Sequence, residues 1–139
     1  MWIHKQVLLL ILIFGLTACT SKPATNTNLI AGYWSGKVDG IGDTEQENAP
    51  REVGILIIAG CTVNKVCGKY SEDGHCPGDI VLMKVDRNRF SFLSETASGS
   101  RQACGSGDIR TIDLELLSDG TIDFLYHNGD SLSGILERK

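Results

Sequence analysis

Of the three histidines in this sequence, His75 and His127 lie beyond an apolar leader, and each sits among residues that could do chemistry. His127 is followed by Asp130 and Ser131, the residue types of a hydrolytic triad in which a base activates a hydroxyl. Three residues so close in one hairpin lack triad geometry, and no G-x-S-x-G elbow is present, so His127 beside Asn128-Gly129 reads as a solvated turn residue. His75 precedes Cys76-Pro77 and reads as an exposed loop residue. Asp113 and Glu115 share one face of an extended run, as the acids of a glycosidase might. They alternate with Ile112, Leu114 and Leu116, which makes them the wet face of an amphipathic strand. Asp39, Asp43, Glu45 and Glu47 surround a polar loop that lacks the ordered ligand spacing of a calcium site, so solvation is the reading there. Gly105-Ser106-Gly107 has no helix after it and forms no phosphate cradle. The expectation is a protein without catalysis, metal or cofactor.

Cys61, Cys67, Cys76 and Cys104 carry the sharper choice. Cys61, Cys67, His75 and Cys76 are zinc-ligand types, but C-x5-C-x7-H-C is not a structural-zinc spacing. An even set of cysteines in a small exported domain reads as disulfides. Cys61 closes one strand and Cys67 opens the next, so a hairpin sets them opposite each other. Of the pairings open to four cysteines, Cys61–Cys67 with Cys76–Cys104 is therefore favoured, the second bridge tying two long loops together.

The elements that must position these residues are strands. Residues 52–59 (EVGILIIA) form a β-branched run, consistent with a buried strand. Phe90 and Phe92 share one face across Ser91, as do Ile112, Leu114 and Leu116, and then Ile122, Phe124 and Tyr126. Residues 31–38, 68–71, 79–85 and 132–138 complete the set. Asp119-Gly120 and Asn128-Gly129 are two-residue turn signals, and residues 86–88 form a further turn. Residues 40–50 form a long polar loop. No helix is predicted. About eight short strands with short connections predict an all-β fold, a small antiparallel up-and-down barrel or sandwich stapled by disulfides.

The chain has 139 residues, with 13 Lys+Arg against 17 Asp+Glu and a net charge of −4. Such an acidic balance argues against a nucleic-acid partner. At the amino end, Lys5 precedes an apolar run over residues 7–16, too short to span a bilayer and right for the core of an export signal. Leu16-Thr17-Ala18-Cys19 then resembles the bacterial lipobox. That resemblance implies cleavage after residue 18 and a diacylglycerol and palmitate-type acyl chains on Cys19. It also implies a protein held on the membrane by lipid, because acyl chains add about 0.8 kcal/mol per buried CH₂. Thr20 follows in place of the Asp of inner-membrane retention. The expected location is thus the outer membrane of a two-membrane cell, or otherwise the outer face of the cell membrane. Residues 19–29 read as the lipidated cysteine and a flexible tether, and residues 30–139 as the domain.

A further resemblance rests on ordered motifs: Trp34-x-Gly36; Gly60-Cys61 with Val66-Cys67-Gly68; Cys76-x-Gly78; Phe90-Ser91-Phe92 with Glu95; Gly99 and Cys104; Asp119-Gly120-Thr121; and Gly134-x-Leu136. This order is similar to small extracytoplasmic β-domains found as bacterial lipoproteins and at the outer ends of some membrane-anchored serine/threonine kinases. The likeness implies an all-β, disulfide-stapled accessory domain and carries over no functional residue. Gly32-Tyr33-Trp34 also resembles the G-x-W that opens lipocalins, where the Trp plugs the closed end of the barrel. Two binding roles follow: an envelope module meeting a protein partner, or a lipocalin-like barrel holding a small ligand. A ligand site would lie at a barrel mouth lined by residues 40–50 and the cysteine-rich loops, with Tyr33, Trp34, Phe90 and Tyr126 as aromatic candidates.

Overall fold

The computed structural model describes residues 25–45, 48–72, 77–96, 110–128 and 130–139, with the backbone alone at 95, 96, 128 and 130. The predicted all-β fold is present. Eight strands, β1 (Gly32–Ile41), β2 (Arg51–Ile57), β3 (Val66–Glu72), β4 (Gly78–Asp86), β5 (Arg89–Thr96), β6 (Arg110–Leu116), β7 (Ile122–Asn128) and β8 (Asp130–Arg138), pair in sequence order. Because β8 also pairs with β1, the sheet closes into an antiparallel up-and-down barrel rather than a sandwich. Closure leaves no free edge to template association.

Alternation along the strands sorts side chains to the two surfaces, as a two-residue pleat requires. Trp34 and Val38 on β1, Val53, Ile55 and Ile57 on β2, and Ile80 and Leu82 on β4 are buried inside. So are Phe90 and Phe92 on β5, Ile112 and Leu114 on β6, Ile122, Phe124 and Tyr126 on β7, and Leu132 and Leu136 on β8. An eight-stranded barrel is just wide enough for such side chains to fill it. Lys37, Asp39, Lys69, Asp79, Lys84 and Asp123 are not buried and belong to the outer surface.

One end is shut by a 3-10 turn, Thr27–Ile30, in a stretch assigned from sequence mostly to the tether. Asn26 caps it by accepting from the Asn28 amide at 3.0 Å. Buried Ile30 enters the core, and Trp34 Nε1 donates to its carbonyl at 2.8 Å. The Arg138 guanidinium stacks 4.6 Å above the Trp34 ring and donates to the Leu29 carbonyl at 3.4 Å. Trp34 thus closes this end beneath the 3-10 turn and Arg138.

The β2–β3 hairpin borders this end. The Cys61–Cys67 disulfide crosses its base as predicted, with Cα atoms 5.5 Å apart. The start of the 3-10 turn is pinned to it: Thr27 N donates to Cys61 O at 3.1 Å, and Thr27 Oγ1 donates to the Ile58 carbonyl. Cys19, His75, Cys76 and Cys104 lie outside the described residues, as does the second bridge.

Candidate functional site

The polar residues inside the barrel gather at the end opposite the 3-10 turn, which we call the mouth. β1, β3, β5 and β7 end there, and β2, β4, β6 and β8 begin there. Inward positions that carry hydrocarbon elsewhere carry Glu72 at the end of β3, Ser94 late in β5 and Arg110 at the start of β6. Tyr70 and Tyr126 form the floor beneath them. Their rings stack at 5.6 Å, and Tyr70 stacks on Phe124 at 6.1 Å.

Glu72 is the anchor of this group. Its side chain is only 1% exposed, yet Arg51 Nη1 reaches its Oε1 at 2.7 Å from β2. Tyr70 donates its hydroxyl to Oε2 at 2.9 Å. Burying a carboxylate is costly unless it is paired and hydrogen-bonded, and both oxygens of Glu72 are so engaged. Burial of Tyr70, and then the Glu72 carboxylate beside it, hold the phenol protonated by raising its pKa far above the ordinary value.

Arg110 completes the cluster. Its guanidinium lies 5.7 Å from the Tyr126 ring centroid, a cation–π contact. Its Nε is buried and has no hydrogen-bond partner among the described residues. An unmade bond at a buried donor costs about 1–3 kcal/mol or more, so an orphan of this kind calls for a partner. Gly40 and Gly78 fill buried positions at the mouth ends of β1 and β4 without contributing a side chain, and Ser94 contributes a small one. Arg51 and the Tyr70 hydroxyl are thus engaged by Glu72, and Arg110, over the Tyr126 ring and beside small residues, is the cation left to take an anionic partner at the mouth.

Of the four aromatic candidates, only Tyr126 stands at the mouth. Trp34 and Phe90 are packed towards the closed end, and Tyr33 projects outward and is 44% exposed. Strand phase explains the difference: Tyr33 precedes inward Trp34, and Phe90 opens β5 at the closed end. Sequence reasoning missed Arg51, Glu72 and Arg110, because charged residues at strand ends read as solvated. The available signal was phase: Glu72 lies two residues from Tyr70, and Arg110 two from Ile112.

The remaining candidates are held in other ways. His127 is exposed and sits opposite Ser131 in the β7–β8 register, with no side-chain hydrogen bond joining them. Asp113 accepts from Ser91 Oγ at 2.6 Å, and Glu115 pairs with Arg89 at 3.0 Å. Both carboxylates line a concavity of about 350 Å³ on the outer face of β4 to β7, together with Lys84, Asp86 and Asp123. The Cys61–Cys67 bridge uses two of the four residues weighed as zinc ligands. No group of three metal-ligating side chains occurs among the described residues. In the loop after β1, Asn48 Oδ1 accepts from the Gly42 amide at 2.8 Å, and Asp43 and Glu45 are exposed. No family model, curated protein or solved structure matches this chain.

Proposed function

We propose that the chain is a non-enzymatic binding module of the bacterial cell envelope, lipid-anchored through Cys19, whose recognition site is the barrel mouth. The observation that carries this reading is the buried Nε of Arg110, beside the Tyr126 ring and without a hydrogen-bond partner among the described residues. A carboxylate or phosphate entering the mouth would meet that donor, with Tyr126 as an aromatic wall and the apolar interior behind it. A charge-assisted hydrogen bond of this type is stronger than a neutral one. The mouth geometry favours a small anionic ligand, the lipocalin-like form of the reading, over a flat protein patch. Because the deeper interior is occupied by Phe92, Phe124 and the stacked tyrosines, the ligand sits at the rim and not in a deep calyx.

The lipobox resemblance supports the anchoring. So does an outer surface bearing Lys37, Lys69, Lys84 and Asp123, which suits a barrel beside a bilayer better than one inside it. The likeness to outer domains of kinases points the same way, towards an accessory rather than a catalytic part.

Octanoate and octyl phosphate serve as probes of the site. Either should raise the thermal midpoint of the wild-type chain in a concentration-dependent way, as expected for a ligand of the native state. Arg110→Gln should abolish the shift while remaining folded. Equal shifts in both proteins, or none in either, would reject the mouth as the site.

A further inference from the structure

We propose that the closed end of the barrel rests on the membrane, with Leu29, Ile58, Val63 and Val66 in the lipid interface, so that the mouth faces away from the bilayer. This rests on lipidation of Cys19, as proposed above. The occupant is a bilayer containing anionic lipid.

The first argument is where the chain leaves the barrel. Asn26 is bridged to Thr62 and Thr27 is bonded to Cys61, so the amino-terminal segment emerges beside the β2–β3 hairpin at the closed end. Seven residue steps separate Cys19 from Asn26, which reach about 25 Å when fully extended. The ten residues of β1 alone cover about 33 Å along the strand. Strands in such a barrel tilt by about 35–45°, so β1 rises about 25 Å along the axis, and a tether leaving at the closed end reaches the mouth only when fully stretched along the wall. A relaxed tether holds the closed end nearer the surface.

The second argument is the surface found there. Leu29, Ile58, Val63 and Val66 are 49%, 54%, 40% and 55% exposed. They belong to neighbouring segments: Thr27 bonds to Ile58, Ile58 N donates to Cys67 O at 2.7 Å, and Asn64 N donates to Leu82 O at 2.7 Å. The 3-10 turn, the β2–β3 hairpin and the start of β3 thus present these exposed apolar side chains on neighbouring segments where the tether begins. Of the exposed large hydrophobics, Ile41 alone stands at the mouth among the described residues.

Charge points the same way. Lys65, Arg87, Arg138 and Lys139 lie at the closed end, and Glu137 there is paired with Lys139 at 3.6 Å. Asp86 and Asp119 offset part of this basicity, leaving the end near neutral. At the mouth end the outward side chains of Asp39, Asp43, Glu45 and Glu52 form the rim, while the cations Arg51 and Arg110 lie inside it. A flat anionic surface therefore meets the acidic rim before the inner cations, whereas the closed end is near neutral.

The test uses the full lipidated chain in vesicles of phosphatidylcholine and phosphatidylglycerol with brominated acyl chains. Val63→Trp and Leu29→Trp report the closed end, and Ile41→Trp reports the mouth. Emission is read as the difference from the parent, whose Trp34 is buried, and each variant's melting is matched to the parent first. The expected result is flotation of every protein with the vesicles, blue-shifted and strongly quenched emission at Val63→Trp and Leu29→Trp, and unquenched emission at Ile41→Trp. Flotation without quenching at either closed-end site, or with quenching at Ile41→Trp, would overturn the orientation while leaving the anchor. A chain that fails to float, and whose mass shows Cys19 without acyl groups, would overturn both.

Discussion

Glu72 and Arg110 occupy positions where Leu or Ile would fill the barrel at lower electrostatic cost. Replacing a buried ion pair such as Arg51–Glu72 by hydrocarbon is often neutral or stabilising, and the unmade bond at Arg110 Nε costs stability, so stability alone does not explain their presence. Tyr70 shows how tightly the group is coupled. Its hydroxyl donates to Glu72, and desolvation first, then that carboxylate, keeps it protonated in the folded state. In the unfolded chain it ionises near the ordinary value of 10.0. The stability linked to this group is therefore intact below pH 10 and is lost as pH rises beyond it, by about 1.4 kcal/mol per pH unit. Tyr70→Phe should cost about 1–3 kcal/mol at neutral pH by taking one donor from a buried carboxylate. Above pH 10 its stability should fall less steeply than that of the parent, so the two curves converge. Denaturant unfolding at a series of alkaline pH values measures this, and parallel curves would count against it. Of this cluster only Tyr126 was marked by residue type; Arg51, Tyr70, Glu72 and Arg110 were not. Charged residues flanking loops are normally wet, and only the inward phase shared with Tyr70 and Ile112 marked Glu72 and Arg110 as different.

Strands and turns were far more legible, because each was specified locally. Alternation in Phe90-Ser91-Phe92 and in residues 112–116 and 122–126 placed the inward faces correctly. Asp119-Gly120 forms the expected β6–β7 connection, with Gly120 at a φ of 85° and its amide donating to Leu117 O at 3.1 Å. The Asp119 carboxylate accepts from the Thr121 hydroxyl and amide, which hold its pKa below the ordinary value. The 3-10 turn was missed because Asn26-Thr27-Asn28 is as polar as a tether. It is ordered by contacts with Trp34, Arg138 and the hairpin, all distant in sequence or not readable from its own residues. Gly68 likewise has a role that only the fold reveals. It follows a register shift in β3, and a Cβ there would stand 1.7 Å from the Leu56 carbonyl oxygen. Gly68→Ala should cost about 3 kcal/mol or more, since the β2 backbone cannot withdraw as a flexible side chain would. The thermal midpoint measures this, and an unchanged value would contradict the packing described. Gly54→Ala is the matched control: the atom its Cβ meets most closely is the Tyr33 hydroxyl, the movable end of an outward side chain, so its cost should be much smaller.

The molecule as a whole has two unlike ends. One is shut by Trp34, Ile30 and Arg138, bears the emerging amino-terminal chain and is rimmed by hydrocarbon. The other gathers the interior's charged groups, Glu72 and Arg110. Closure of eight strands in sequence order makes this division possible, since every second connection falls at the same end. The fold class could be read from strand number and turn spacing, whereas the polarity of the barrel could not, because it depends on which residues meet across the interior. Binding at the mouth is the central claim, and ¹H–¹⁵N NMR of the side-chain Nε–H of Arg110, with the backbone amides as a map, tests it most directly. Titration with octanoate should shift the Arg110 Nε–H and the amides of Gly78, Ser94, Arg110 and Tyr126, while Trp34 and the 3-10 turn stay still. Shifts confined to the outer concavity at Ser91, Asp113 and Leu125, or an Arg110 resonance that does not move, would contradict the account.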